Sequence, residues 1–267
     1  MLEGSPGKWT GVQLPGSEMA GEVEAVGAGV TRFAVGDKVI SVDIRHWIDG
    51  PAPEVGTNTA PFPGWLAEYV TVPEDLLVRA PAMLDAVAAS TLSVAGLTAW
   101  FALVELAKIR AGETVVVQGT GGVALFAVQF AAAHGASVIV VSSSKSKLQR
   151  VKALGATHGI DRSEHEDWDA RVLEITGGRG ADHVLEMGGA DITRSVNAIR
   201  IGGAYLDHWP VERDRAACAD HVRHVQACAA RRSRRGPSTR AGGHDRSNRP
   251  SQASAGRRRG LSVLPGA

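Results

Sequence analysis

The sequence predicts an α/β protein: a doubly wound parallel sheet, preceded by a small, mostly antiparallel β region and followed by a basic tail outside the fold. Three observations carry this. Between residues 113 and 206, apolar strand-like runs alternate with Gly-rich turns and helix-like runs. Residues 11–83 are instead rich in Gly and Pro, with short β-branched runs. The charge also divides: through Pro210 there are 16 Lys and Arg against 24 Asp and Glu, whereas residues 211–267 hold 13 Arg, no Lys and 4 acids. The net charge of +1 therefore conceals an acidic body of −8 and a basic tail of +9.

In the first region, residues 21–30 (GEVEAVGAGV) alternate in strand fashion, and Gly36-Asp37-Lys38 forms a turn before Val39 to Val42. Gly27 and Gly29 are candidates for positive φ. Residues 48–64 are proline-rich and predict a surface loop, and Leu66 to Val72 predicts a further strand. Residues 86–106 predict a helix interrupted only at Gly96. Strands are then expected at 114–117, 137–141, 157–160, 183–187 and 204–206, and helices at 123–134, 145–154, 167–176 and 192–200. Gly135, Gly155 and Gly177 each stand where a helix should end. The expected division is 1–84 for the β domain, 85–210 for the parallel sheet and 211–267 for the tail.

A hydrophobic fraction of 44% and a charged fraction of 21% exclude collagen, a disulfide-knotted scaffold and wholesale disorder. The longest apolar stretch, residues 123–133, is broken by Gln129, too short for a membrane span. The N-terminus has no apolar core of the kind a secretory leader needs, and the two cysteines, Cys218 and Cys228, give no disulfide framework. A cytoplasmic protein is expected.

The first strand of the alternating region runs into Gly119-Thr120-Gly121-Gly122 and then a helix opening at Val123. Gly119, Gly121 and Ala124 fit G-x-G-x-x-G/A between a strand and a helix. The first glycine permits the tight turn, the second lets backbone approach a pyrophosphate, and the alanine lets helix and strand pack closely. Helix N–H groups then meet the anion. A dinucleotide is therefore the expected cofactor. At the end of the second strand, where an NAD site places an acid, stands Ser142 or Ser143, and no acid occurs between Glu113 and Asp161. Hydroxyls followed by Lys145, Lys147 and Arg150 suit a 2′-phosphate, so NADP(H) is expected over NAD(H).

At these residues the chain resembles a known family. The segments PGSEMAGEVEAVGAGVTRFAVGDKV, GWLAEYVTVP, AGLTAW, GETVVVQGTGGVALFAVQFAAAHGASVIV, KALGATHGID and TGGRGADHVLEMGGA stand in family order between Pro15 and Gly203. They are similar to the medium-chain dehydrogenase/reductases, and within them to the zinc-free quinone-oxidoreductase-like and alcohol-dehydrogenase-like branch. The resemblance implies a GroES-like domain joined to a Rossmann domain, and hydride transfer to a quinone, enone or simple carbonyl, or the reverse from an alcohol. Carried over by position, it puts Thr98 near the nicotinamide carboxamide and Val123 behind the ring. Lys147 falls at the 2′-phosphate, and Gly188 and Gly189 at the nicotinamide ribose. It assigns no catalytic side chain.

Departures from the family pattern shape the remaining expectations. Ser17, between Gly16 and Glu18, stands where zinc-dependent members carry a metal-ligating histidine, and the body has no cysteine, so no catalytic zinc is expected. Strands that usually precede the PGSE segment are missing, and Asp207, His208 and Trp209 replace an apolar strand end. Residues 211–267 contain six large apolar residues, too few to offset chain entropy, and predict disorder. Their arginine-only composition is what a GC-rich gene yields when read out of frame. Without a sixth strand, a homodimer through the sheet edge is doubtful. Cys218, His221, His224 and Cys228 on one helix could not surround a metal tetrahedrally, and the tail lacks the aromatics of a nucleic-acid site. Tyr69 and Trp100 are expected to pack rather than react. The competing reading is a nucleotide-binding remnant without activity.

Overall fold

The computed structural model describes residues 15–42, 64–187 and 192–207, Asp207 by its backbone alone. Among them the chain forms a three-stranded antiparallel sheet and a five-stranded parallel sheet, both within one compact unit. The 211–267 tail lies outside the described residues.

The small sheet contains β1 (Ala20–Glu22), β2 (Lys38–Ser41) and β3 (Leu77–Arg79), with β2 central. Gly21 pairs with Val39, and Ile40 with Val78. The reversal before β2 uses Gly36 at φ 90°, and neither Gly27 nor Gly29 takes positive φ as expected. Backbone bonds from Gly36 N to Val23 O and from Val23 N to Asp37 O close that turn. Phe33, Val39 and Leu77 form the core of this sheet, with Arg32 and Arg79 over the Phe33 ring at 5.4 and 5.6 Å.

The strand expected at Leu66 to Val72 does not form. Trp65 N and Leu66 N bond to Gly16 O and Pro15 O, and Leu66 and Tyr69 point to solvent. Alternation specifies a strand only where a neighbouring edge accepts it, and β2 is taken by β3. The packing role expected of Tyr69 is thereby corrected, whereas Trp100 makes an edge contact with Phe130 at 5.4 Å.

The helix expected over 86–106 is four pieces. They are α1 (Ala86–Ala89), a π-helical stretch (Leu92–Gly96), α2 (Leu97–Trp100) and a second π-helical stretch (Phe101–Leu106). Asp85 caps α1 by accepting from Ala88 N at 2.7 Å. The wider turns appear as Gly96 N to Thr91 O and Ala107 N to Ala102 O, both i→i+5.

The large sheet then builds in order. It comprises β4 (Thr114–Gln118), α3 (Gly122–Ala133), β5 (Ser137–Ser142), α4 (Lys145–Lys152), β6 (His158–Asp161), α5 (Trp168–Ile175), β7 (Ala181–Glu186), α6 (Ile192–Ala198) and β8 (Ile199–Asp207). The strand order is β6-β5-β4-β7-β8, every pairing parallel. Gly135, Gly155 and Gly177 do close helices at positive φ. Both faces are covered: Val115, Val117, Val138 and Val140 pack with Ala124, Ala127 and Val128 of α3, while Val116, Ile139 and Val184 pack with Trp168 and Val172 of α5. The period of two along each strand divides these sets.

At the amino end β7 starts at Ala181 and β8 at Ile199, earlier than expected. Asp182 falls ahead of the expected strand and His183 at its start; both are buried, Asp182 held by ion pairs with Arg179 and Arg200 and His183 by a hydrogen bond with Glu113. No helix among the described residues is long and apolar enough to cross a membrane.

Candidate functional site

Strand β4 is fully buried until Gln118, where the chain leaves the sheet at its carboxyl end. Gly119 turns at φ 81°, a conformation that costs other residues about 1–2 kcal/mol, and its N–H bonds Val141 O at 2.7 Å. This ties the turn to the end of β5, so Gly119 and Ser142 become neighbours. Gly121 is the N-cap of α3 at φ −80°, ψ −179°, with no side-chain cap. An added Cβ at Gly121 would meet no atom within 4 Å. The N-cap residue thus offers no side chain to the first N–H groups of the 12-residue helix, and among the described residues the space beside Gly121 is open. This arrangement fits a pyrophosphate.

The expected site residues fall as follows. Gly119, Thr120, Gly121, Gly122 and Val123 form the turn and the helix start, with Val123 buried and Thr120 half-buried. At Gly122 a Cβ would lie 3.4 Å from Ala95 Cβ, so the π-helical stretch passes beside the turn and brings α2, with half-buried Thr98, into the same neighbourhood. Ser142 is buried and Ser143 exposed at the end of β5. Lys147 is exposed on α4 and, among the described residues, has no carboxylate partner. Gly188 and Gly189 lie outside the described residues, as do Cys218, His221, His224 and Cys228.

The fold also gathers residues that linear reading passed over. Asp161 pairs in register with Ser142, so an acid does stand beside the end of β5. Ser163 donates to its carboxylate from both Oγ (2.6 Å) and N (3.0 Å), which holds Asp161 below the usual carboxylate range. Lys145 pairs with Glu164 at 2.5 Å, and that bond raises its pKa. Of the three cations expected near a 2′-phosphate, Lys145 is therefore already engaged.

Beneath the turn, Gln118 Nε2 donates to Glu186 Oε2 (2.5 Å) and Ser195 Oγ (2.6 Å), and Ser195 Oγ donates to the same Glu186 oxygen at 2.6 Å. Glu186 is 1% exposed and Ser195 0%. The visible signal was an acid that directly follows the apolar pair Val184-Leu185 in the expected strand 183–187. Glu18, beside Ser17, accepts from Val94 N at 2.7 Å and Ala95 N at 3.0 Å, and so joins the small sheet to the π-helical stretch. Among the described residues no three His, Cys, Asp or Glu side chains are grouped as a metal would need.

Comparison with known proteins gives this geometry a family. Residues 3–82 match the alcohol dehydrogenase GroES-like domain, and residues 122–206 match the zinc-binding dehydrogenase family. A zinc-type alcohol dehydrogenase-like protein of Schizosaccharomyces pombe is 40% identical over 181 residues, 66% of this chain and 52% of that protein. A quinone oxidoreductase of Pseudomonas aeruginosa is 38% identical over 177 residues, 66% of this chain and 49% of that protein. The chain thus spans about half the length of these curated relatives. A crystal structure from Sinorhizobium meliloti, described as an alcohol dehydrogenase, superposes with a TM-score of 0.69 at 46% identity, covering 83% of this chain and 72% of that one. The sheet order, the glycine turn and these matches agree: the chain belongs to the medium-chain dehydrogenase/reductase superfamily, with a GroES-like domain ahead of a parallel nucleotide-binding sheet.

Proposed function

We propose that the chain binds NADP(H) at the Gly119–Val123 turn and takes part in hydride transfer to a quinone, enone or simple carbonyl, or in the reverse reaction from an alcohol, without catalytic zinc. The observation that carries this is the start of α3 at Gly121, which has no side-chain cap, at the end of β4, the strand flanked by β5 on one side and β7 on the other. In open α/β sheets that crevice is where dinucleotides lie.

A reduced nicotinamide bound there supplies the hydride. The N–H groups of α3 bind the pyrophosphate, and Gly121 keeps the approach free of a side chain. Ser142, Ser143 and Lys147 take the adenosine end, with Lys147 supplying the charge against a 2′-phosphate. Thr98, Val123, Gly188 and Gly189 position the nicotinamide end. A conjugated acceptor is already electrophilic and needs no Lewis acid. The described residues do not fit a catalytic zinc: Ser17 is exposed and offers a hydroxyl, and the Glu18 carboxylate already holds two backbone N–H groups.

Calorimetric titration with NADPH and NADH, then NADPH oxidation with a panel of quinones and enones in the presence and absence of a chelator, tests the proposal. Binding with turnover that a chelator leaves unchanged supports it. Turnover abolished by the chelator and restored by zinc overturns the metal-free mechanism. Tight binding with no turnover on any acceptor supports the remnant reading instead.

A further inference from the structure

We propose that Glu186 is a positioning residue for the nicotinamide half of the cofactor, acting through Gln118 across the seam between β4 and β7; this rests on the dinucleotide reading above. Main-chain pairing between these strands runs through Val115–His183, Val116–Val184 and Val117–Leu185. One step further, at Gln118 and Glu186, the pairing passes to side chains: the amide of Gln118 donates to the buried carboxylate and to Ser195 of α6, and Ser195 closes the triangle. The exit of β4 is thus held on both flanks, by Gly119 N on Val141 O of β5 and by Gln118 on Glu186 and Ser195.

The position is informative. The crevice opens where neighbouring strands send their connections to opposite sides, which in the order β6-β5-β4-β7-β8 is between β4 and β7. The half-sheet β4-β5-β6 takes the adenosine end, because its second strand carries the ribose contact. The half-sheet β7-β8 is left for the nicotinamide end. Glu186 is the last residue of β7, one residue before Met187 and two before Gly188. A carboxylate 1% exposed in a sheet otherwise apolar at its centre is costly unless its partners fix it. Here they tie the pyrophosphate turn to the start of the opposite half-site. Removing the carboxylate should let the turn and the β7 exit move apart, which a ligand spanning both would sense and a ligand confined to β5 would not.

The test uses the full chain and two probes: NADPH, which spans the crevice, and adenosine 2′,5′-bisphosphate, which covers the adenosine end alone. Each is titrated by calorimetry into the wild type, Glu186→Gln, Glu186→Ala, Ser195→Ala and the exchange Gln118→Glu/Glu186→Gln, with melting temperatures on the same samples. The expected result is at least a tenfold loss of NADPH affinity in both Glu186 variants and about threefold in Ser195→Ala. Bisphosphate affinity stays within twofold, and the exchange, which restores one donor facing one acceptor, recovers most of the NADPH loss. Equal losses for both probes, unchanged NADPH binding, or a Glu186→Gln chain that does not fold would each overturn the assignment, the last by showing that the carboxylate serves folding. A wild type that binds neither probe would overturn the dinucleotide reading itself; a wild type that binds both while the Glu186 variants match it would overturn this inference alone.

Discussion

The two ends of the parallel sheet gather opposite kinds of polar chemistry. At the amino end the polar groups pair with one another, save His183 Nδ1, which is buried without a hydrogen-bond partner among the described residues. Asp182, its side chain 5% exposed, accepts from Thr114 N, from both terminal nitrogens of Arg179 and from Arg200 Nε, while Glu113 accepts from Arg110 N and pairs with His183 at 2.7 Å. At the carboxyl end the glycine turn opens α3 without a side-chain cap, and one buried carboxylate, Glu186, is held by an amide and a hydroxyl. Between the two ends Val115, Val116 and Val117 are 0% exposed. An all-parallel sheet covered on both faces leaves only its ends for polar groups, so a closed amino end reads as stability and an open carboxyl end as binding.

The sharpest way to break that division is to remove Asp182. Asp182→Asn leaves two arginine side chains and Thr114 N without their anion and should lower stability by about 3 kcal/mol, the low end for a buried pair because both arginines reach water. NADPH affinity in the folded variant should stay within twofold. A tenfold loss of affinity without unfolding would show that the ends are coupled. The pH dependence follows in sign. Burial alone would raise the Asp182 pKa, but the Arg179 bonds, Thr114 N–H and Arg200 hold it far below its ordinary 3.8. A carboxylate depressed on folding stabilises fully above its unfolded value and loses that contribution as pH falls toward the folded one. The wild-type melting temperature should therefore fall steeply below about pH 4, and more shallowly in Asp182→Asn. Parallel slopes would remove Asp182 as the cause.

At the other end, Gly121→Val should cost roughly ten- to a hundredfold in NADPH affinity, the loss of a charge-assisted hydrogen bond of about 1.5–3 kcal/mol. The fold should survive, because the added side chain meets no protein atom within 4 Å of its Cβ. Gly119→Ala separates shape from space: at φ 81° it should lose about 1 kcal/mol of stability while leaving the space above Gly121 free. Gly121→Val with near-native affinity, measured by calorimetry alongside circular dichroism, would move the dinucleotide away from this turn.

How much of this was legible in the sequence follows the same division. The strands and helices of the large sheet were readable because each buried face repeats every two or every 3.6 residues, and Gly135, Gly155 and Gly177 mark helix ends that the structure places at positive φ. The glycine turn was readable because its conformation is set locally, by Gly119 at positive φ between a strand and a helix. Asp161 beside Ser142, Glu186 beneath Gln118 and Asp182 inside the sheet were not readable, because each gains its role from a strand neighbour 19 to 68 positions away. The small sheet departs from expectation at Leu66 to Val72, where the expected strand does not form and Leu77–Arg79 pairs instead. Its strands are three or four residues long, and a run of that length is specified by the edge it meets rather than by its own alternation.

The smallest expected effect concerns which dinucleotide the open end prefers. Ser142 and Ser143 offer hydroxyls, yet Asp161 lies in register with Ser142, and Lys145 is paired with Glu164. The balance therefore falls on Lys147, which has no carboxylate partner among the described residues. Asp161 is restrained by the Ser163 hydroxyl and N–H, so its charge is partly answered locally. A 2′-phosphate adds about −1.5 to −2 charges near this strand end, and one exposed lysine against it is worth on the order of 1 kcal/mol. Reversing that charge in Lys147→Glu should weaken NADPH roughly tenfold and NADH less than twofold. Asp161→Asn should move the preference the other way, favouring NADPH further by removing a repulsion. Higher salt should shrink the Lys147 difference more than the Asp161 one, because Lys147 is exposed and screened whereas Asp161 is buried. Equal losses for the two cofactors in Lys147→Glu would detach Lys147 from the 2′-phosphate. A wild type that prefers NADH, with the preference lost in Asp161→Asn, would make Asp161 the ribose ligand, so that the residue selecting the cofactor would come from β6, the third strand of the half-sheet, and not from the second.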